Sequence, residues 1–168
     1  MTARPDPAGD TPAGTAGEPA GVAVRALTAA DLPDLVTLED ELFGAGAWTG
    51  AMLDAELTGP GRWYAGVDDA AGLAGYVGLW FDGEVAQVMT LGVATRAQRR
   101  GLGRVLLGAL VDRARQLGAR AVMLEVRVDN DPALELYRGA GFEVLARRRR
   151  YYQPEDVDAF TMALTLGP

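Results

Sequence analysis

The sequence predicts a single domain of the α/β or α+β class, in which one mixed sheet is flanked by helices. The chain has 168 residues, a length that suits one domain with its own core. Hydrophobic residues make up 49% of the chain and charged residues 23%, which is the balance of a globular protein. Segments with strand periodicity and segments with helix periodicity follow one another without an internal repeat. The strands should therefore form one mixed sheet, and the helices should pack against it.

The N-terminal segment differs in composition from the remainder. Residues 1–21 contain four Pro, four Gly, five Ala and three Thr, and they contain no Leu, Ile, Val or aromatic residue. Such a segment cannot bury enough apolar surface to offset the entropy lost on ordering. We therefore expect a disordered tail over 1–21 and a folded domain over 22–168. A partner-binding arm is the alternative, which the lack of an aromatic anchor disfavours.

The domain should begin with a strand and a helix. Val22–Leu27 reads as a short strand. Thr28 and Asp31 have the spacing of a capping box, which predicts a helix that runs to about Leu42. The buried stripe of this helix is expected from leucines at helical spacing, namely Leu32, Leu35, Leu38 and Leu42.

A second short helix and three strands come next. Thr49 is placed to cap a helix through Leu57. Turn signals at Asp69–Gly72 and Asp82–Gly83 then separate three apolar runs. These runs are predicted strands over Trp63–Val67, Leu73–Phe81 and Val85–Ala94.

The second half of the chain continues the mixture of helices and strands. The predicted elements are a helix over Leu102–Leu117, a strand over Ala121–Val128, a helix over Pro132–Ala140, and strands over Phe142–Tyr151 and Asp158–Leu166. Gly118 and Gly141 should end the two helices, because glycine readily adopts the left-handed conformation that follows a helix C-terminus.

Composition excludes several classes of chemistry. The chain contains no His, Cys, Ser or Lys, so Ser and Cys nucleophiles, His bases and catalytic lysines are ruled out. Without cysteine there is neither a disulfide framework nor a thiolate zinc site, and we expect no metal. Any catalysis must use Asp, Glu, Tyr, Thr, Arg or backbone amides. No apolar run suits a membrane span or a signal peptide, so we expect a cytoplasmic protein that binds no membrane.

Charge is divided between the two halves of the domain. Residues 22–95 carry 2 Arg and 11 acidic residues, whereas residues 96–150 carry 13 Arg and 6 acidic residues. One half should therefore attract a cation and the other an anion, as in a protein that joins a polyanionic cofactor to a basic substrate. A chance asymmetry on a solvated surface is the alternative. The run Arg147–Arg150 could suggest nucleic-acid binding, but the chain is acidic overall with a net charge of −7, and we expect none.

A glycine-containing loop lies between a predicted strand and a predicted helix. Its sequence, Gln98-Arg99-Arg100-Gly101-Leu102-Gly103-Arg104, combines two glycines with three arginines. Glycines let the backbone approach a ligand closely, and the free amides of a helix N-terminus favour phosphate. An ordinary connecting loop is the alternative, and the dinucleotide-binding fingerprint is incomplete here.

An ordered set of motifs extends this loop into a family resemblance. The set is Gln98-x-x-Gly101-x-Gly103, Leu124-Glu125-Val126-Arg127 with Asn130, Ala133-Leu134-Glu135-Leu136-Tyr137, Gly141-Phe142, Arg149-Arg150-Tyr151-Tyr152, and the apolar strand Thr161-Met162-Ala163-Leu164. In this order the motifs resemble the GNAT superfamily of N-acetyltransferases, and within it the RimI-type ribosomal-protein-alanine N-acetyltransferases of bacteria. The resemblance is dense from about Val88 to Leu166, loose from Val22 to Phe81, and does not include the tail. The loop Ala47-Trp48-Thr49 departs from the Pro-Trp-Ser common in that group.

The resemblance implies a fold and an activity. The fold would be a mixed, mostly antiparallel sheet of about seven strands with a splayed middle pair, flanked by about four helices. The activity would be transfer of the acetyl group of acetyl-CoA, used as a cosubstrate without a metal, to the N-terminal alanine of a ribosomal protein by a monomer. Acetylation of a small amine such as a polyamine or aminoglycoside is one alternative. A non-catalytic CoA-binding module is another.

The resemblance also implies roles for individual residues. Glu125 would be the general base and Tyr137 the proton donor to the CoA thiolate; their alternatives are an exposed strand residue and core packing. The cofactor would be bound by Leu91, Gly92, Val93, Arg99, Arg100, Gly101, Leu102, Gly103, Arg104, Asn130 and Tyr137. For Leu91–Val93 the alternative is ordinary strand with a bulge at Gly92, and for Asn130 it is a helix N-cap. Trp48, Tyr151 and Tyr152 would line the substrate side, with core packing again as the alternative for the two tyrosines.

Overall fold

The computed structural model describes residues 21–167, so the predicted tail lies outside the described residues except for Gly21. Seven strands and four α-helices are found in the described part. The strands are β1 (Arg25–Ala26), β2 (Arg62–Asp69), β3 (Gly72–Phe81), β4 (Val85–Val93), β5 (Ala121–Arg127), β6 (Glu143–Tyr152) and β7 (Val157–Thr165). The helices are α1 (Leu32–Phe43), α2 (Gly50–Thr58), α3 (Leu102–Gln116) and α4 (Asp131–Gly139). The predicted order and type of every element are confirmed.

All seven strands form one sheet in the order β1-β2-β3-β4-β5-β7-β6. Every neighbouring pair is antiparallel except β4 and β5, which are parallel. That parallel pair is short: it consists of Val85 with Ala121, Ala86 with Val122 and Gln87 with Met123. Beyond Gln87 and Met123 the two strands separate, whereas β5 stays paired with β7 along its whole length. The expected splayed middle pair is therefore present.

Helices cover both faces of the sheet. A Cβ atom added to Gly92 of β4 would lie 2.7 Å from Leu42 of α1, so α1 packs on one face. A Cβ atom added to Gly75 of β3 would lie 3.0 Å from Leu106 of α3, so α3 packs on the other. A groove of about 450 Å³ separates α3 from α4, and Leu164 of β7 forms part of its lining.

Local sequence signals account for most helix boundaries. The capping box is formed: the Thr28 side chain accepts from the backbone and the Asp31 carboxylate accepts from the Thr28 N–H at 2.8 Å. A single 3₁₀ turn, Ala29–Asp31, precedes α1. The Thr49 hydroxyl accepts from Met52 N–H at the start of α2. Gly118 and Gly141 both follow helix ends with positive φ, as predicted.

The structure corrects three details of the predicted pattern. The strand predicted over Val22–Leu27 is reduced to β1: Arg25 and Ala26 have ladder partners in β2, and Leu27 adds one N–H bond to the Tyr64 carbonyl at 2.9 Å. The α1 stripe begins at Leu35, since Leu32 is only partly buried, and it includes the fully buried Glu39.

The bulge in β4 also differs in position from the one considered for Gly92. Gly78 pairs with Thr90 and Leu79 with Val88, which leaves Met89 as the extra residue. Gly92 pairs regularly with Tyr76 of β3. The alternative of a bulge at Gly92 is therefore wrong.

Strand β6 forms one edge of the sheet and is largely exposed. Of its ten residues only Tyr152 is buried, and Val144 and Leu145 are among the large apolar side chains left in solvent. The pairing with β7 is irregular between Val144 and Ala146 and again between Arg148 and Tyr152. Among the described residues, no helix has the length and hydropathy needed to cross a bilayer.

Substitution of two glycines, one in a crowded place and one with open space around it, tests the packing of β3 and α3. A Cβ atom at Gly78 would lie 2.3 Å from the ring of Tyr64, whose hydroxyl donates to Glu56 at 2.7 Å. Gly78→Ala should therefore lower the free energy of unfolding by about 1–3 kcal/mol. Gly108 lies within α3 with open space around it, so Gly108→Ala should raise that free energy by up to about 1 kcal/mol. Urea unfolding measures both values, and equal effects of the two substitutions would contradict the packing described.

Candidate active site

The opening between β4 and β5 is the main feature of the candidate site. From Val88 to Val93, the side of β4 that faces β5 has no strand paired with it in the described part of the chain. Leu91 and Val93 are each 2% exposed, so their side chains belong to the core and what they could offer a ligand is the unpaired backbone edge. An extended ligand with amide groups could pair with such an edge as a further strand does.

The glycine-containing loop lies at the end of this opening. The Gln98 side chain donates to the carbonyl of Val93 at 3.1 Å and so attaches the loop to the last residue of β4. Gly101 has φ +76°, a conformation that favours glycine, and α3 begins at the next residue. The N–H groups of Leu102, Gly103 and Arg104 have no acceptor within the helix because they belong to its first turn.

Positive charge is concentrated at the same place. Arg99, Arg100 and Arg104 are all exposed, and Arg99 also has positive φ at 63°. Free amides, a helix dipole and three guanidinium groups together favour an anion such as a phosphate. The structure therefore brings together every loop residue that the sequence singled out.

Glu125 lies on β5, beside the opening. Its neighbours Leu124 and Val126 are buried on one face of the strand, whereas Glu125 is on the other face with 25% of its side chain exposed. The Thr161 hydroxyl of β7 donates to one carboxylate oxygen at 2.7 Å. The Arg148 guanidinium of β6 lies 3.6 Å from the other oxygen. Contacts from two neighbouring strands thus hold the carboxylate in place.

The two tyrosines at the end of β6 have different environments. Tyr151 is partly exposed, and the Arg148 guanidinium lies 5.2 Å from its ring centre. Burial and then the Glu125 carboxylate raise the pKa of Tyr151, while Arg148 opposes the change. Tyr152 is buried and packs edge-on against Tyr151, with ring centres 5.2 Å apart.

Arg127 of β5 contacts the ring of Tyr152 and two acidic residues. Its guanidinium lies 5.7 Å from the Tyr152 ring centre. It also pairs with Asp129 at 3.0 Å and with Glu155 at 3.9 Å. Of the predicted substrate-side pair, Tyr151 is the one beside Glu125, and the burial of Tyr152 favours the packing alternative.

Tyr137 and Asn130 are both on or next to α4. Tyr137 is 5% exposed and its ring centre lies 5.7 Å from that of Phe142. The Asn130 side chain accepts from Ala133 N–H at 3.2 Å, so the N-cap alternative is confirmed for Asn130. The burial of Tyr137 is consistent with core packing, and its proposed role as a proton donor stays a prediction.

Trp48 is positioned by a residue that the sequence reasoning missed. Its backbone N–H donates to Glu39 of α1 at 3.1 Å. Glu39 is 0% exposed, and its other carboxylate oxygen accepts from the Tyr76 hydroxyl of β3. Thr90 of β4 in turn donates to the Tyr76 hydroxyl at 3.3 Å. Glu39 could have been found from its spacing, since it is four residues after Leu35 and three before Leu42.

Thr161 and Arg148 were also missed as site residues. Their contacts with Glu125 depend on the register of β5, β7 and β6, in which Glu125 pairs with Thr161. No local pattern in the sequence contains that register. Arg148 was considered only as part of an arginine run.

Several acidic residues of the acidic half, residues 22–95, are neutralised by ion pairs with arginines. Arg25 binds both Asp31 and Asp68, and its hydrogen bond lowers the pKa of Asp31. Two arginines from the basic half reach acidic residues of the other half: Arg96 pairs with Asp69, and Arg120 pairs with Glu84. The cation-attracting surface is therefore weaker than residue counts alone suggest.

Comparisons with known proteins agree with this geometry. The sequence profile described as Acetyltransferase (GNAT) family matches residues 27–142. N-alpha-acetyltransferase RimI of Mycobacterium tuberculosis is 42% identical over 151 residues, which are 87% of this chain and 94% of that protein.

Solved structures share the fold. The ribosomal-protein-S18-alanine N-acetyltransferase of Escherichia coli superposes with a TM-score of 0.80 at 27% identity, over 88% of this chain and 95% of that one. Arabidopsis thaliana NAA60 in complex with acetyl-CoA superposes with a TM-score of 0.78 at 18% identity, over 86% and 98% of the two chains. The second likeness concerns the fold alone.

The position of Tyr151 can be tested by titration. Glu125→Gln removes a negative charge that raises the pKa of Tyr151, so the substitution should lower this pKa towards that of an ordinary phenol. Tyrosinate absorbance measures the change, with Tyr151→Phe used to identify the signal. Glu143→Gln removes an exposed carboxylate at the start of β6 and serves as the control. Identical titrations of Glu125→Gln and the unchanged protein would show that the two groups do not interact.

Proposed function

The chain belongs to the acetyltransferase (GNAT) family, and from this premise we propose that it transfers the acetyl group of acetyl-CoA to the N-terminal α-amine of a protein. The acceptor that we propose is the N-terminal alanine of a ribosomal protein, since the Escherichia coli structure carries that description. The observation that carries the proposal is the arrangement of three features: an unpaired strand edge on β4, a cationic loop at the end of that strand, and a carboxylate on β5 beside the opening.

The cofactor side of the proposal rests on the β4–β5 opening and the loop beyond it. Arg99, Arg100 and Arg104, with the first-turn amides, would bind the phosphates of CoA. Backbone groups of Leu91, Gly92 and Val93 would pair with its pantetheine amides. The residues present fit such a molecule, because the cationic loop is attached to the last residue of the unpaired edge.

The chemistry of the proposal is one addition and one elimination. The neutral amine attacks the thioester carbonyl, a C–N bond forms and the C–S bond breaks, which yields an N-acetyl amide and CoA thiolate. Glu125 would accept the proton that the amine loses, directly or through water. Tyr137 would donate a hydrogen bond or a proton to the departing thiolate. A backbone amide near Val93 would stabilise the oxyanion that forms during attack.

The acceptor side rests on Tyr151 and Trp48. Tyr151 lies beside Glu125, and Trp48 is held by Glu39 at the start of α2. Aromatic side chains at these positions would restrict the size of the first residue, which favours alanine. Tyr152 would act indirectly, through its edge-on contact with Tyr151.

A small cationic amine is the second candidate acceptor. The observation in its favour is the acidic half of the domain, in which Asp34, Asp40 and Asp54 are exposed. These carboxylates would attract a polyamine and a basic peptide alike. The two acceptors must therefore be compared directly.

Glu125→Gln tests the proposed base. The amide keeps the shape of the side chain but cannot accept a proton, so kcat near neutral pH should fall by about 10²-fold or more. The loss should shrink at high pH, where the amine is already neutral. Steady-state kinetics give kcat, and calorimetry should show that CoA still binds. Glu143→Gln is the matched control and should leave kcat unchanged. Wild-type turnover in Glu125→Gln, with chemistry rate-limiting, would remove Glu125 from the mechanism.

A panel of four acceptors tests the proposed substrate. An Ala-initiated basic peptide should have the highest kcat/KM, ahead of a Leu-initiated peptide, an N-terminally blocked peptide with internal lysines, and spermidine. The α-amine has a pKa near 8 and lysine one near 10.4, so a larger fraction of the α-amine is neutral at pH 7. The rates should fall as salt screens the acidic surface. If spermidine has the highest kcat/KM, the small-amine function replaces the ribosomal one.

A further inference from the structure

We propose that Arg148 is a specificity-determining residue, which makes the site favour amines of low pKa by opposing a positive charge beside Glu125. The inference rests on the proposed function and deepens it: Arg148 would select the α-amine of a protein N-terminus over lysine side chains and polyamines. Nothing in the motifs assigns a role to this arginine, which the sequence presents only as one of four in a row.

Sheet geometry directs Arg148 towards Glu125. Glu125 pairs with Thr161, and two residues along β7 Ala159 pairs with Arg148. Side chains two residues apart on a strand share a face, so Arg148 lies on the Glu125 face, diagonally across β7. The observed distance of 3.6 Å between the guanidinium and the carboxylate agrees with this placement.

The neighbouring arginines of β6 face the other way or have other partners. Arg147 pairs with Asp158 at 2.7 Å, and its guanidinium lies 5.9 Å from the ring centre of Phe160, on the opposite face. Arg150 donates its backbone N–H to Asp158 at 2.9 Å. Arg149, like Arg147, lowers the pKa of Asp158, so its charge acts on that carboxylate. Arg148 is the member of the run whose guanidinium is paired with Glu125.

Among the described residues, Arg148 is the cation that the structure pairs with Glu125. On β5 itself, Arg127 shares the Glu125 face, but Asp129 and Glu155 offset its charge. From β7 the facing group is the neutral Thr161 hydroxyl. From β6 the facing groups are Arg148 and the Tyr151 phenol, over which Arg148 lies.

The negative charge of Glu125 and the positive charge of Arg148 act in opposite directions on the protonation of a bound amine. A carboxylate alone favours the ammonium form and raises the pKa of an amine beside it. A guanidinium at the same place opposes the ammonium and lowers that pKa. Because only the neutral amine attacks the thioester, Arg148 would increase the reactive fraction at Glu125. At pH 7 the neutral fraction of an α-amine exceeds that of a lysine by about 250-fold, so a site that rejects ammonium groups rejects lysine and spermidine most strongly.

The roles of the two residues are distinct. The proton released after attack goes to Glu125 or to water, and Arg148 neither gives nor takes one. Arg148 acts only through its fixed positive charge, so any effect of its removal should depend on the pKa of the amine offered.

Arg148→Gln tests the inference, with Arg149→Gln as the matched control that removes the same charge from the next residue of β6. In Arg148→Gln the pKa of the bound amine should rise, because the opposing positive charge is gone. The pH at which kcat for the Ala-initiated peptide falls to half on the acidic side of the profile should therefore rise by about one pH unit. The ratio of kcat/KM for spermidine to kcat/KM for the peptide should rise about 10-fold, mostly through a lower KM for spermidine. Arg149→Gln should leave both quantities within about twofold of the unchanged protein.

A second variant separates charge from packing. Arg148→Lys keeps the positive charge but loses the flat contact with Tyr151, so it should restore the pH profile and the selectivity. If Arg148→Gln changes neither the acidic side of the pH profile nor the spermidine-to-peptide ratio of kcat/KM, the inference is overturned. The proposed function is still upheld in that case if the wild-type protein acetylates the peptide. Equal changes in Arg148→Gln and Arg149→Gln would also overturn it, since a general field would then be responsible. Failure of the wild-type protein to acetylate any amine would overturn both.

Discussion

The incomplete pairing of β4 with β5 is the constraint on which the rest of the structure depends. Three residues of each strand pair, and then the strands part, so one side of β4 loses its backbone partners while β5 stays paired with β7 on its other side. An unpaired backbone edge inside a sheet is costly unless water or a ligand satisfies it. The loop that follows β4 and the helix N-terminus beyond it extend the same edge with further free N–H groups. A single interruption of the sheet therefore creates the opening and leaves the cationic loop at its end.

Local signals predicted the elements, and non-local contacts escaped prediction. Thr28, Thr49, Gly118 and Gly141 mark element boundaries through interactions within a few residues, so the sequence contains them directly. The length of β1, by contrast, depends on how many residues can reach β2. The splay of β4 from β5 was expected only because of the family resemblance, since no pattern in either strand indicates where the pairing ends.

The same division holds for the candidate site: residues in local motifs were predicted, and residues brought in by strand pairing were not. Glu125, the loop arginines and Gly101 were identified by motif. Glu125 lies on β5 beside the opening, and the loop follows the end of β4. Thr161 and Arg148 complete the surroundings of the carboxylate through a register that only the folded sheet defines. Glu39 was hidden because a carboxylate on an apolar helix face looks like a pattern error. Its two acceptor oxygens in fact join the Trp48 backbone to the Tyr76 hydroxyl, and so connect the segment before α2 to the sheet.

The exposure of β6 has a consequence for the solubility of the protein. A ten-residue edge strand with solvent-exposed Val144 and Leu145 offers a template on which another chain could add a strand. Two irregularities in its pairing and four consecutive arginines make such addition unfavourable, since a second copy would bring like charges together. The run of arginines therefore disfavours the addition of another strand at this edge. Neutral residues in place of these arginines would remove that repulsion and make the edge more prone to association.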